Sequence, residues 1–415
     1  MNADTGFSMQ TAATPINKPP IDNLLTTHSN TRVSCSALTT QIATTLDEIE
    51  QWGHAYQHFL TALGPYGIFY QPGWLRGLWP AYSLHPSTLF FISIWQNEEM
   101  LALAPFQLLQ KGPLQGWRRL VSVLGTHHPT LANPLPDILV VDESLRGTCM
   151  ETLLATLERE SGRWDQLELI HFPADSPALD YLRRALPRAK LVNDDNQAGL
   201  VDLSEGFQAY RASLSRKMLK ALRRCHRQLE SVGNFRFHSS NGVSSERWKL
   251  IRQMHVDRQQ RLTNKGGHSR YSVFGNEIEA TAMENAFGWA EQTGCARHYW
   301  LDIDDTPAAF VLGLFQGNTY FYYFISMDQR AEPFSGGIQL LLHLIEEEAR
   351  RGMTTIDMMF GMSFNKSRFA NVQKVLCNCY IKNRRMLSVA RNGWVDLAKG
   401  LRRSASQPRR AGGEP

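Results

Sequence analysis

The stretch FSGGIQLLLHLIEEEARRGMTTIDMMFG, residues 334–361, sets an amphipathic helix between a glycine pair and a short apolar strand. The helix is predicted over 337–351. It closes on Gly352, and a strand over 354–359 follows directly. Two glycines at the helix entry let the backbone approach a ligand. The unpaired N–H groups of a first helical turn, with the helix dipole, favour a phosphate. A plain glycine-rich helix entry fits the same local pattern.

Working upstream, a meander is predicted: strands over 298–303, 308–316 and 319–326, joined by turns at 304–307 and 317–318. Before it stand helices over 245–261 and 277–292, flanking a polar loop over 263–276, and a strand over 235–239. A basic amphipathic helix over 215–232 leads in. Its apolar positions Leu214, Met218, Leu222, Cys225 and Leu229 make one stripe, and Lys217, Lys220, Arg223, Arg224 and Arg227 lie opposite. Between Arg211 and Leu229 there are seven basic residues and no acidic one. Such a stripe suits an acidic acyl carrier protein, a phosphorylated donor or a nucleic acid, or serves only as a solubilising face.

The first half runs in the same order with less definition. It offers a helix over 49–63, aromatic loops over 66–79, strands over 89–95 and 100–109, a strand over 120–124, a helix over 149–160 and a strand over 166–172. Residues 151–172 and 338–360 both read as a Leu-Leu helix, a glycine and an apolar strand, which suggests an internal duplication. The matching helix entry, Leu145-Arg146-Gly147-Thr148, has one glycine, so a phosphate site belongs to the second half.

With 415 residues and 43% hydrophobic content, two domains are the default. The expected division is a disordered leader over 1–44, an N-terminal domain over 45–204, a C-terminal domain over 205–392, and a terminal helix with a basic disordered tail over 393–415. Arg402, Arg403, Arg409 and Arg410 fall in that tail. No apolar run is long enough to span a membrane, and the opening residues do not resemble a signal peptide, so a cytoplasmic location is expected. The six cysteines are too scattered for a disulfide framework. Cys377 and Cys379 would share one face of a strand, in the core and not on a metal.

Taken in order, Ser215-Arg216-Lys217 through Arg224, the strands around Pro307-Ala308-Ala309, Ser335-Gly336-Gly337, and Asp357-Met358-Met359-Phe360-Gly361 with Lys366 beyond resemble the GNAT superfamily. The resemblance is to its double-GNAT branch, which includes CelD-like and FemAB-type proteins, and it covers nearly all of residues 45–390. It implies an α/β (α+β) fold of two tandem GNAT-like domains, each a mixed, largely antiparallel sheet flanked by helices. It also implies that the strand over 319–326 pairs with a pantetheine arm while Ser335, Gly336, Gly337 and Ile338 hold a phosphate, with Tyr323 beside them. The usual glycine loop is degenerate here, since Arg330 lies far upstream and Pro333-Phe334 intervene, so another pantetheine or acyl carrier competes with coenzyme A.

Transfer of this kind needs a base for the acceptor amine and a cradle for the thioester carbonyl, without a metal or a permanently bound cofactor. Asp357 ends a buried strand, where a carboxylate is costly unless paired or placed at a site. Asp357, His268, Asp328 and His255 are the candidate bases. Lys366 is placed to hold a substrate carboxylate or phosphate, and Tyr322 to protonate the leaving thiolate. The expected activity is N-acyl transfer from acyl-CoA or an acyl carrier protein to a small-molecule amine in envelope or exopolysaccharide metabolism. A FemAB-like aminoacyltransferase using charged tRNA is the alternative, though the helical hairpin insertions of some tRNA users are missing. A non-catalytic accessory of a polysaccharide synthase is the third reading.

Overall fold

The computed structural model describes residues 38–112, 118–128, 131, 136–231, 234–266 and 269–406. Strand β1 (Thr39–Ala43) comes first. Thus part of the expected leader pairs with the sheet, because Ile42 and Ala43 supply an apolar edge. Gly53, at φ +54°, breaks the helix expected over 49–63 into α1 (Leu46–Glu50) and α2 (Gly53–Ala62). A 3-10 turn, Gly64–Tyr70, leads to α3 (Pro72–Tyr82), where only an aromatic loop is expected. Pro72 suits a first helical turn, and Trp74, Leu75 and Leu78 make one buried stripe.

Then follow β2 (Ser87–Gln96), β3 (Glu99–Gln110), β4 (Arg119–Val123), β5 (Leu139–Val140), α4 (Arg146–Arg159), β6 (Gln166–Pro173), α5 (Pro177–Ala185) and β7 (Lys190–Asp202). The second half comprises α6 (Gly206–Ser213), α7 (Arg216–Glu230), β8 (Phe235–Ser240), α8 (Ser245–Gly266), α9 (Glu277–Gln292), β9 (His298–Ile303), β10 (Thr306–Gln316) and β11 (Thr319–Met327). It ends with α10 (Gly336–Arg350), β12 (Thr355–Phe360), α11 (Phe364–Phe369), β13 (Val372–Lys382) and α12 (Met386–Ser406). Arg402 and Arg403, expected in a disordered tail, therefore lie within a helix. Arg409 and Arg410 lie outside the described residues.

Twelve of the strands form one path, β1-β2-β3-β4-β6-β13-β7-β12-β11-β10-β9-β8, with β5 beside β3. The order is the same from either end once the halves are matched. In each half three antiparallel pairs lead to one parallel pair, β4 with β6 and β11 with β12. The centre is an exchange. The last strand of the second half, β13, lies against β6 of the first, and β7 lies against β12 of the second.

Alternation along the strands sorts side chains to two faces. Phe90, Ile92 and Ile94 enter a core under α4 and α5, while Phe91 and Trp95 enter another shared with α2, α3, α8 and α9. A third core lies under α7 and α10. Helices α3 and α9 touch at glycine: a Cβ on Gly77 would stand 2.5 Å from the Ala286 Cα. Cys377 and Cys379 are both buried in the first-half core.

Candidate functional site

The ladder between β11 and β12 runs for three pairs, Thr319 with Thr355, Tyr320 with Ile356 and Phe321 with Asp357. Beyond Asp357 the register of β12 slips, Met359 takes φ +60° and Gly361 φ +82°, and the two strands part. A cavity of about 330 Å³ lies in the fork, lined among others by Arg258, Tyr322, Ile325, Ser335, Gly337 and Lys366. The structure thus brings together Tyr322, Lys366, Ser335, Gly337 and Ile338, with Asp357 at the base.

Asp357 is fully buried and does not line the cavity. One of its oxygens accepts from the Tyr66 hydroxyl at 2.9 Å and the other from the Met359 amide at 2.7 Å. Burial raises its pKa, and these two donors oppose the rise. Asp357, expected as a base for the acceptor, therefore lies beneath the cavity and not on its wall. Tyr66, from the 3-10 turn of the first half, is the residue sequence reasoning missed. Its partner is 291 positions away, and no local pattern signals the pair.

Lys366 follows the N-cap Ser363, whose hydroxyl accepts from the Lys366 amide at 3.3 Å. Its ammonium donates to the Phe360 carbonyl at 3.4 Å and stands 6.0 Å from the centre of the Tyr322 ring. Desolvation lowers its pKa to about 8, with Asp357 opposing. Arg258, from α8, makes a similarly long bond to the Ile325 carbonyl, 3.4 Å, and burial lowers its pKa too. The cavity's acid, Glu332, is already paired with Arg261 at 3.1 Å and Lys265 at 3.6 Å. Two desolvated cations with weak partners favour negative charge in the cavity. Tyr322 is buried and its pKa is raised by desolvation, so its hydroxyl keeps its proton.

The helix entry is built differently from the expected run of free amides. Ser335 adopts a left-handed conformation, φ +53°. Its amide donates to the Glu332 carbonyl at 3.1 Å, that of Gly336 to Ala331 at 2.9 Å, and that of Ile338 back to Ser335 at 2.8 Å. Among the described residues, the Gly337 amide alone of these four has no acceptor in the turn. The glycines also differ. A Cβ on Gly336 would meet the Ala331 Cβ at 2.6 Å, a packing clash, whereas one on Gly337 would stand 3.3 Å from Ile325 at the cavity wall.

Other expected site residues lie elsewhere. Tyr323, expected at the cofactor, points to the opposite face of β11, against Trp74, Phe69 and Phe287. Strand alternation sends Tyr322 and Tyr323 to opposite sides. His255 bonds to Ser272 at 2.7 Å, packs on Phe274 and Phe324, and is pushed down to about 4 by burial, a neutral core histidine. Asp328 is held by Arg330 in a turn, 2.5 Å. His268 lies outside the described residues. Lys217, Lys220, Arg223 and Arg224 are exposed on α7 and form no ion pair among the described residues. This helix adjoins the fork: the Cys225 thiol donates to the Ser335 hydroxyl at 3.6 Å, and Gln339 donates to the Leu222 carbonyl at 3.0 Å.

A larger cavity, about 640 Å³, lies mostly in the first half, where His127 is 3.2 Å from Glu168 and His128 is 3.5 Å from Glu279. The two parallel ladders match rung for rung, and the third rung pairs Ser122 with Glu168 where the second half has Phe321 with Asp357.

Residues 216–366 match the family described as the acetyltransferase (GNAT) domain. This segment of the chain is a GNAT-type acetyltransferase domain. Among solved structures, the chain is similar in fold to FemX, at 10% identity and a TM-score of 0.52, over 74% of this chain and 90% of that one. A tandem GNAT protein from the clavulanic acid biosynthesis pathway aligns over 84% of this chain and 99% of that one, at 10% identity and a TM-score of 0.44. L-PGS from Bacillus licheniformis aligns over 72% and 86%, at 14% identity and a TM-score of 0.43. Comparison with the sequences of curated proteins finds no match. No helix among the described residues is long and apolar enough to cross a membrane.

Proposed function

We propose that the fork between β11 and β12 takes the phosphopantetheine arm of an acyl thioester, from acyl-CoA or an acyl carrier protein, and passes the acyl group to an acceptor amine. The observation that carries this reading is the parting of two parallel strands after their third rung. The backbone of β11 from Tyr322 onward then has an edge open to the amides of such an arm. A donor phosphate completes Arg258, Lys366 and the Gly337 amide, at the positive end of α10.

In the transfer, the amine nitrogen bonds to the thioester carbonyl carbon, the C–S bond breaks, and the amine loses a proton as the thiolate gains one. Tyr322, kept neutral by burial, is the donor to the thiolate, and the proton released by the amine restores it. Lys366 holds the anionic group, and Asp357 with Tyr66 fixes the bulge that aims β12 away from β11. The exposed basic face of α7, beside the fork, suits an acidic carrier protein. In this reading residues 205–392 hold the donor, residues 45–204 are a structural copy, and the reaction belongs to envelope or exopolysaccharide metabolism in the cytoplasm.

Calorimetric titration with coenzyme A and with a phosphopantetheinylated carrier protein tests this. Saturable binding of either, reduced by Lys366→Ala, is expected. Binding of neither, or binding indifferent to Lys366→Ala, overturns it, and binding of charged tRNA alone supports the aminoacyltransferase alternative.

A further inference from the structure

The terminal helix α12 rests on the body through Ser388, Asn392 and Val395, which are all buried. Ser388 donates to the Asp165 carboxylate at 2.6 Å and Asn392 to the Asp165 backbone carbonyl at 2.9 Å. Their spacing of i, i+4 and i+7 defines the inner side of the helix. A helix lying on a soluble body carries polar residues on its other side. Here that side is apolar: Met386 is 88% exposed, Leu387 71%, Trp394 61% and Val389 56%. Met386, Ala390 and Trp394 fall at i, i+4 and i+8, so they form one continuous stripe.

This end of the chain is also positively charged. Residues 382–406 contain seven basic residues and one acidic residue, a net charge of +6 against +5 for the whole chain. Arg384 and Arg385 are exposed at the approach to α12. An outward apolar stripe containing a tryptophan, on a helix rich in Arg and Lys, is the composition of a helix that lies in the plane of a lipid interface.

We propose that α12 seats this protein on an anionic lipid bilayer, with Met386, Leu387 and Trp394 at the boundary between headgroups and acyl chains and Arg384 and Arg385 against the headgroup charge. A second copy of the chain is a poorer occupant, since it would bring two such positive segments together. One helix of this kind gives reversible binding, and the acyl-transfer fork is not part of the surface.

The test is co-sedimentation of the full chain with vesicles of phosphatidylcholine alone and of phosphatidylcholine with phosphatidylglycerol. Binding to the anionic vesicles is expected, weaker by about tenfold or more on the neutral ones and in high salt, because each basic residue near the surface adds on the order of 1 kcal/mol. The triple variant Met386→Ser, Leu387→Ser, Trp394→Ser changes only exposed side chains. It is expected to keep the melting temperature and lose binding by about tenfold or more. Failure to sediment with anionic vesicles overturns the proposal, as does unchanged binding by the triple variant. Self-association in solution that the triple variant abolishes, without vesicle binding, assigns the stripe to a second copy and also overturns it.

Discussion

The two parallel strand pairs occupy matching places in the sheet, yet the helix entries beyond them are built differently. In the second half, β11 and β12 part above a buried aspartate, α10 begins with two glycines, and two desolvated cations line the gap. In the first half, the start of α4 carries Arg146, whose guanidinium is paired with Glu143 at 2.5 Å and also donates to the Ile138 carbonyl at 3.3 Å. The acid on the third rung, Glu168, faces His127 and the amide of Gln166. One architecture thus places glycine and two desolvated cations at one helix entry, and at the other an arginine that is internally paired.

The largest expected effect comes from exchanging these features. Gly337→Val pushes a side chain into the cavity wall and Lys366→Ala removes a charged contact. Each is expected to weaken donor binding by roughly tenfold to a hundredfold, the equivalent of about 1.5–3 kcal/mol. Gly147→Val, at the matching entry, is expected to leave donor affinity unchanged, since a Cβ there meets nothing within 4 Å. Calorimetry on the three variants breaks the comparison if Gly147→Val is the one that loses the donor.

Proton linkage sharpens the same contrast. Lys366 has its pKa lowered to about 8, so its charge is complete well below that pH and is lost as pH rises through it. Donor affinity is expected to fall over this window, and Lys366→Arg, which keeps its charge, is expected to flatten the profile. A flat profile in the parent protein would show that the lysine does not carry the anion.

At the base of the fork the expected effects are on stability. Tyr66→Phe leaves one oxygen of a buried carboxylate without its donor, at a cost of about 1–3 kcal/mol. Adding Tyr66→Phe to Asp357→Asn is expected to cost less than adding it to the parent. Additive losses in a double-mutant cycle would mean the pair is not coupled. Gly336→Ala is expected to lower the melting temperature through its clash with Ala331 while the folded variant retains donor affinity. The smallest effect concerns α7, where Lys220→Glu, Arg223→Glu and Arg224→Glu together are expected to weaken association with an acidic carrier several-fold, and raised salt to do the same to the parent. Salt-insensitive association leaves the stripe as a solubilising face.

Much of the second half was legible because its signals are local. The helix of α9 begins at Asn276, which caps Ile278 and Glu279, and the strand β9 is buried along its whole length around Tyr299, Trp300 and Leu301, so both are found where they are expected. The buried stripe of α7 and its exposed basic face also follow from spacing alone. By contrast, β7 contains Asn193, Asp194, Asn196 and Gln197, which read as a loop, and it is a strand because β12 and β13 flank it. Helix α3 is hidden by its prolines and glycines, of which Gly73 and Gly77 stand where α9 approaches closely.

What the sequence determined by itself is the succession of elements and the position of the glycine pair, because helix caps, turns and hydrophobic periods act over a few residues. Tertiary structure decided the exchange of β7 and β13 across the centre, the pairing of Tyr66 with Asp357, and the direction in which the apolar side of α12 points. Each of these depends on groups far apart in the chain, and their energies come from burial and desolvation that exist only once the sheet has closed.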